Sequence, residues 1–146
     1  MQLPTTLLRH EAPGRGTPPH YDWLIATPPA PQDSPAGLWT ARVAAHWNDW
    51  AALGQIELTP LPRHRPRYLR WAGTLSGQRG WVWGGGRGVI VPTLWTPRRI
   101  ELTLEPWLAT APAHNPLPSA RQPTTLGISL RRVGERWRGV VSPDVR

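Results

Sequence analysis

Proline and glycine restrict what this chain can fold into more than any other residues. There are 19 prolines and 14 glycines among its 146 residues, close to a quarter of the sequence. A proline inside a helix costs roughly 3 kcal/mol, so this composition excludes a bundle of long helices. Short strands joined by many turns suit the spacing, and the sequence therefore predicts a mainly β fold.

Alternation of apolar and polar residues locates the expected strands. They are the segments 5–10, 20–26, 38–43, 67–74, 80–83, 89–91, 99–105, 126–131 and 137–141. Glycines mark turns between several of them, including a hairpin turn at 84–86 and another at Gly134-Glu135. Residues 44–54 favour one short helix that ends at Gly54. We expect a small closed or partly open β-barrel of about eight short strands, with at most one or two short helices.

Length and residue content bound the organisation of the chain. With 146 residues it is expected to form a single domain, 1–146, and to act as a monomer. The lack of cysteine excludes disulfides and thiolate metal sites. The sequence has no apolar run near the roughly 20 residues of a membrane span, so a cytoplasmic protein without a membrane partner is expected. Segment 107–123, rich in Pro, Ala and Ser, is expected to be a mobile loop.

Ten tryptophans occur beside no phenylalanine. Most fall at alternating positions of the expected strands, which indicates that they fill the core. The alternative for an exposed one, such as Trp81 or Trp83, is a platform on which bases stack.

The charge of the chain is strongly positive. Seventeen basic residues face nine acidic ones, a net charge of +8, and every basic residue is arginine. Codon usage in a G+C-rich genome explains arginine in place of lysine but leaves the shortage of acids unexplained. A basic surface attracts polyanions, and arginine binds phosphate bidentately, so a nucleic-acid partner is indicated. The alternative is a small Trp-rich β protein with no nucleic-acid role.

Histidine and aspartate form a candidate metal site near the N-terminus. His20 and Asp22 would project from one face of a strand, about 6.6 Å apart along it. His10, at the end of the preceding strand, would come alongside if the intervening turn forms a hairpin. Two imidazoles and a carboxylate suit Mn²⁺, Fe²⁺ or Zn²⁺ and leave room for water or a phosphate oxygen. Solvated polar residues at a strand end are the alternative.

A second group lies in the segment RHRPRYLRW, residues 63–71. On an extended backbone His64, Tyr68 and Arg70 share a face and would converge on one anion. A solvated basic edge strand is the alternative. The remaining histidines, His46 and His114, fit neither group and are expected to be incidental surface residues.

The order of these motifs resembles a known family. His10, the HYD of residues 20–22, LPRHRPRY at 61–68 and GTLSG at 73–77 are similar to the 3′-phosphoesterase domain of bacterial DNA ligase D and its short stand-alone relatives. The resemblance covers roughly residues 6–91.

The resemblance implies a metal-dependent enzyme that removes a 3′-phosphate or 3′-ribonucleotide from DNA at breaks. By motif position, His10, His20 and Asp22 would hold the metal, generally manganese. His64 and Tyr68 would be catalytic and contact the scissile phosphate, with His64 as general acid toward the leaving oxygen. The implied partners are DNA 3′ ends, with a repair ligase or polymerase as a further partner.

One position departs from the family pattern. The family places an arginine two residues after the metal-binding aspartate to clamp the phosphate, and this chain has Leu24 there. Loss of one such transition-state donor typically lowers the rate by ~10²–10³-fold. Arg70 on the neighbouring segment is a candidate replacement. The alternative function is a catalytically inactive module on the same fold that binds DNA ends or a repair partner.

Overall fold

The computed structural model describes residues 1–12, 17–26, 38–64, 73–74, 81–107 and 124–144. The strands in this part of the chain are β1 (Leu3–Ala12), β2 (Thr17–Ile25), β3 (Leu38–Val43), β4 (Gln55–His64), β5 (Gly73–Thr74), β6 (Trp81–Trp95), β7 (Arg99–Trp107), β8 (Leu126–Val133) and β9 (Arg136–Pro143). A 3₁₀ turn, Trp47–Asp49, leads directly into one short helix, α1 (Trp50–Leu53). No described helix is long and apolar enough to cross a membrane.

Eight of the strands close into a ring. All pairings are antiparallel, in the order β1-β2-β3-β4-β9-β8-β7-β6, and β6 then pairs with β1. The two-residue strand β5 is added against the start of β6. The prediction of a mainly β fold with about eight ring-forming strands and minimal helix is confirmed.

The main hydrophobic core lies inside this ring. Alternate residues of all eight ring strands contribute to a single buried cluster, which is possible only on the inner face. Trp23 is at its centre and makes edge-to-face contacts with Trp50 and Trp39, with ring centroids 5.0 and 5.6 Å apart. Trp47 and Trp137 are also buried, so the expectation that tryptophans fill the core holds for these residues. The structure does not describe the side chains of Trp81 and Trp83.

The predicted hairpin turn at residues 84–86 is wrong. Residues 81–95 form one continuous strand, β6, and the glycines lie within it. These positions are glycine because neighbouring groups pack closely against the strand, and not because the chain turns there. A Cβ added at Gly86 would lie 2.7 Å from Cε2 of Trp47, and one at Gly85 would lie 2.9 Å from the carbonyl oxygen of Leu7. Gly86 lets the Trp47 indole pack directly against the backbone of β6, and Gly85 lets the backbone of β1 and the Tyr21 ring approach closely.

The short helix and the last hairpin lie where the sequence predicts them. The helix in 44–54 is shorter than expected but does end at Gly54, whose φ is +72°. The hairpin at Gly134 is confirmed, with φ +60°. Strand β4 was missed by the alternation analysis. The predicted strand 67–74 is described only at Gly73–Thr74, and nearly all of the predicted loop 107–123 lies outside the described residues.

His46 is not an incidental surface residue. Its ring is partly buried, and Nδ1 accepts a hydrogen bond of 3.0 Å from the backbone N–H of Asn48, capping the 3₁₀ turn. Its Nε2 donates to the carbonyl oxygen of Gly85 in β6. Burial lowers the pKa of His46, so the ring is neutral and uses both nitrogens. His114 lies outside the described residues.

Replacing Gly86 with alanine is expected to destabilise the protein by about 1–3 kcal/mol, because the new methyl group overlaps the buried Trp47 ring. Urea unfolding measures the change. Gly127→Ala is the matched control, since a Cβ there meets Ser142 Oγ at an ordinary 3.5 Å. Equal stability of the two variants would contradict this account of β6.

His46 is also expected to make stability depend on pH. The unfolded chain takes up a proton near pH ~6.5, whereas the folded protein resists protonation until its lowered pKa is reached. The free energy of unfolding should therefore fall as the pH is lowered below ~6.5. His46→Asn keeps a capping acceptor but removes this linkage. Denaturation at a series of pH values should show a smaller acid loss for the variant than for the wild-type protein. An identical loss would contradict the assignment.

Candidate metal centre

The pairing of β1 with β2 places three candidate ligands together. His10 is directly opposite His20, and Leu8 is directly opposite Asp22. Because side chains alternate along a strand, His20 and Asp22 lie on the same face, and the register adds His10 to that face. This is the face opposite the one that carries Leu7 and the main core.

Two distances in this group are close to those between ligands of one metal ion. His10 Nδ1 lies 3.1 Å from His20 Nε2, and His20 Nε2 lies 3.5 Å from Asp22 Oδ1. One ligand atom from each residue can be chosen so that all lie within 4.8 Å of one another. Two ligand atoms bound about 2.1 Å from one ion are separated by roughly 3.0–3.4 Å. The donor set therefore suits a divalent metal with imidazole and carboxylate ligands.

The second hydrogen bond of His20 orients its ring for such a role. Its Nδ1 lies 3.2 Å from the carbonyl oxygen of Pro18, and a carbonyl oxygen can only accept. Nδ1 therefore carries the proton, and the lone pair on Nε2 points toward His10 and Asp22. Metal-binding histidines are characteristically held in this way by a backbone carbonyl.

The centre is largely removed from water. His20 is 7% exposed and Asp22 is 4% exposed, while His10 is half-buried. Burial lowers the pKa of His20, and this effect outweighs the Pro18 hydrogen bond and the Asp22 charge, which raise it. His20 is therefore neutral near pH 7, the form in which an imidazole binds a metal.

The second predicted group is only partly visible. His64 is the last residue of β4, and its Cα pairs with that of Leu38 at the start of β3. Tyr68 and Arg70 lie outside the described residues. The convergence of these three side chains on one anion stays a prediction.

Leu24, the residue that departs from the family pattern, is packed in an apolar environment. It follows Asp22 on the same face of β2 and is completely buried. With Leu8 and Leu38 it forms a second, smaller hydrophobic cluster. This position therefore contributes to packing beside the candidate centre.

Arg42 is a further candidate site residue that the sequence motifs do not indicate. This residue of β3 is the direct cross-strand partner of Asp22. Alternation within LWTARV predicts that Arg42 and Thr40 lie on the same face of β3. It does not predict that Arg42 is paired with Asp22 on β2.

No protein-family model matches the chain, and no curated protein matches it. The resemblance to the ligase D domain rests on the motif residues quoted above.

Metal binding tests the centre directly. The wild-type protein is expected to bind one equivalent of Mn²⁺ or Zn²⁺ in isothermal titration. His20→Ala and Asp22→Asn should weaken binding by more than the ~10–100-fold that loss of an outer-shell partner causes. His46→Asn, which removes a histidine outside the centre, is the control and should bind normally. Equal binding by the wild-type and His20→Ala proteins would exclude this ligand set.

Proposed function

We propose that this protein is a metal-dependent phosphoesterase that processes DNA 3′ ends, removing a terminal 3′-phosphate or 3′-ribonucleotide at breaks. The proposal rests on one observation: His10, His20 and Asp22 lie together on one face of the sheet, with His20 and Asp22 buried. These are the same residues that the motif resemblance assigns to the metal.

The chemistry divides between the ion and the side chains. A divalent metal, Mn²⁺ in preference to Zn²⁺ or Fe²⁺, supplies Lewis-acid stabilisation of phosphoryl charge when bound. His20 is held neutral by burial and oriented by the Pro18 carbonyl. Asp22 is the single anionic ligand of the set, which leaves the centre with a positive charge that attracts phosphate. In the proposal His64 and Tyr68 contact the scissile phosphate, and His64 protonates the leaving oxygen.

The distribution of charge supports a nucleic-acid substrate. Beyond the net charge of +8, Arg99, Arg131 and Arg138 lie side by side in register on β7, β8 and β9. Like charges on neighbouring strands repel each other and do not stabilise a sheet. Glu101 pairs with Arg99 and Glu57 pairs with Arg138, which offsets part of this repulsion. These strands lie across the ring from β1 and β2. Their field therefore raises the local concentration of polyanions around the protein without contacting the centre.

The proposed setting follows from the substrate. In the proposal the protein processes DNA ends in the bacterial cytoplasm. A repair ligase or polymerase would then act on the processed 3′ end.

A second candidate function is a module that binds DNA ends without turnover. Leu24 favours it, because a fully buried leucine stands where the family has its phosphate-binding arginine. Restoring arginine at position 24 would force a guanidinium into the cluster with Leu8 and Leu38, so this substitution is a poor test of function.

A primer–template with a 3′-phosphate separates these functions. With Mn²⁺ at about 50 mM salt, the wild-type protein should release orthophosphate. Asp22→Asn should lose at least the ~10²–10³-fold in rate that removal of a transition-state group causes. His46→Asn should retain activity. Binding should weaken steeply between about 50 and 200 mM salt.

The other outcomes are equally informative. Salt-dependent binding to the DNA without release of orthophosphate would favour the end-binding module. Neither binding nor release would contradict both functions and favour a β protein with no nucleic-acid role.

A further inference from the structure

Arg42 stands beside the candidate metal centre. Its Cα is paired with that of Asp22 across β2 and β3, and with that of Thr59 across β3 and β4. Residues directly opposite on antiparallel strands share a face, with Cβ atoms about 4.5–5.5 Å apart. Arg42 therefore projects from the same face as Asp22 and His20.

The guanidinium of Arg42 has an unused buried donor. Among the residues that the structure describes, its Nε–H is buried and makes no hydrogen bond. Buried polar groups in proteins are nearly always hydrogen-bonded, and arginine has only donors. Such a donor beside the candidate metal centre can bind an acceptor oxygen of a ligand held there.

The charge of Arg42 also acts on the centre. It is one of the influences that lower the pKa of His20, after burial, and it opposes the effect of Asp22. This influence agrees with the strand register, which places Arg42 on the same face as His20.

We infer that Arg42 and the His10–His20–Asp22 centre together form a subsite for a phosphate monoester dianion. This inference rests on the proposed function and specifies the substrate group that the site selects. Arginine binds phosphate through two parallel N–H···O bonds, and the metal would take a third oxygen. Arg42 thereby supplies, from β3, the donor that Leu24 does not supply from β2.

The charge balance favours a monoester over a diester. A divalent ion and Arg42 together exceed the Asp22 carboxylate by two positive charges. A terminal phosphate carries a charge close to −2 above its second pKa of about 6, whereas a diester carries −1. A terminal 3′-phosphate therefore neutralises the subsite, and an internal phosphodiester leaves one positive charge uncompensated. The structure thus points to removal of 3′-phosphate as the preferred reaction.

Binding of small anions tests the subsite without relying on turnover. The probes are inorganic phosphate and dimethyl phosphate at pH 8, titrated into the Mn²⁺-loaded protein. The wild-type protein should bind inorganic phosphate at least tenfold more tightly than dimethyl phosphate. Arg42→Gln should lose at least tenfold in phosphate affinity while its Mn²⁺ affinity stays within a few-fold of wild type. Arg98→Gln, the same charge change in the exposed segment between β6 and β7, should leave both affinities unchanged.

A second variant keeps the test decisive if Arg42→Gln fails to fold. Arg42→Lys keeps the charge but cannot bind bidentately, so it should bind Mn²⁺ normally and inorganic phosphate several-fold more weakly.

Unchanged phosphate binding in a folded Arg42 variant that still binds Mn²⁺ would overturn the subsite alone. Loss of Mn²⁺ binding in both variants would also overturn it, by showing a structural role for Arg42. If the wild-type protein binds neither Mn²⁺ nor phosphate, the subsite and the proposed function both fail. Tight phosphate binding without release of phosphate from DNA would support the subsite and contradict the proposed enzyme.

Discussion

The register between β1 and β2 is the constraint on which the rest of the candidate site depends. A shift of one residue would turn His20 and Asp22 to the inner face and destroy both the core and the site. Buried hydrogen bonds hold this register. The Trp23 indole donates to Thr5 Oγ1 over 2.8 Å, and Thr5 Oγ1 donates to the Leu24 carbonyl over 2.7 Å. A fully buried core tryptophan therefore also helps to fix the positions of the polar residues on the other side of the sheet.

Burial on both faces of this sheet region gives the polar residues their chemical character. Asp22 and His20 lie beside the cluster of Leu8, Leu24 and Leu38, away from bulk water. Low polarity keeps His20 neutral and strengthens the attraction between a cation and a bound anion. A cation bound at the centre would add to the positive charge of Arg42, and the single Asp22 carboxylate cannot balance both. Packing and electrostatics thus favour an anionic ligand at the same place.

The sequence predicts an element correctly where residues close together in the chain determine its structure. The alternation in LWTARV gave β3 with its observed bounds, and Gly134 marked the last hairpin. Local patterns failed where the deciding contact is distant in sequence. Trp47 packs against Gly86 and leaves no room there for a side chain, and the partly buried His46 donates a hydrogen bond to the carbonyl oxygen of Gly85. The three candidate ligands could be named because one hairpin aligns them, whereas Arg42 required the pairing of β2 with β3 across a long connection.

A cation can be placed next to Asp22 in two ways on this sheet. A residue two positions along β2 lies about 6.6 Å away, whereas the cross-strand neighbour on β3 lies about 4.5–5.5 Å away at Cβ. This chain has leucine at the first position, where it completes an apolar cluster, and arginine at the second. This arrangement keeps one guanidinium beside the carboxylate and gives the face an additional buried side chain. Leucine at position 24 is therefore compatible with the proposed function, because the electrostatic requirement of a phosphate ligand can be met from β3.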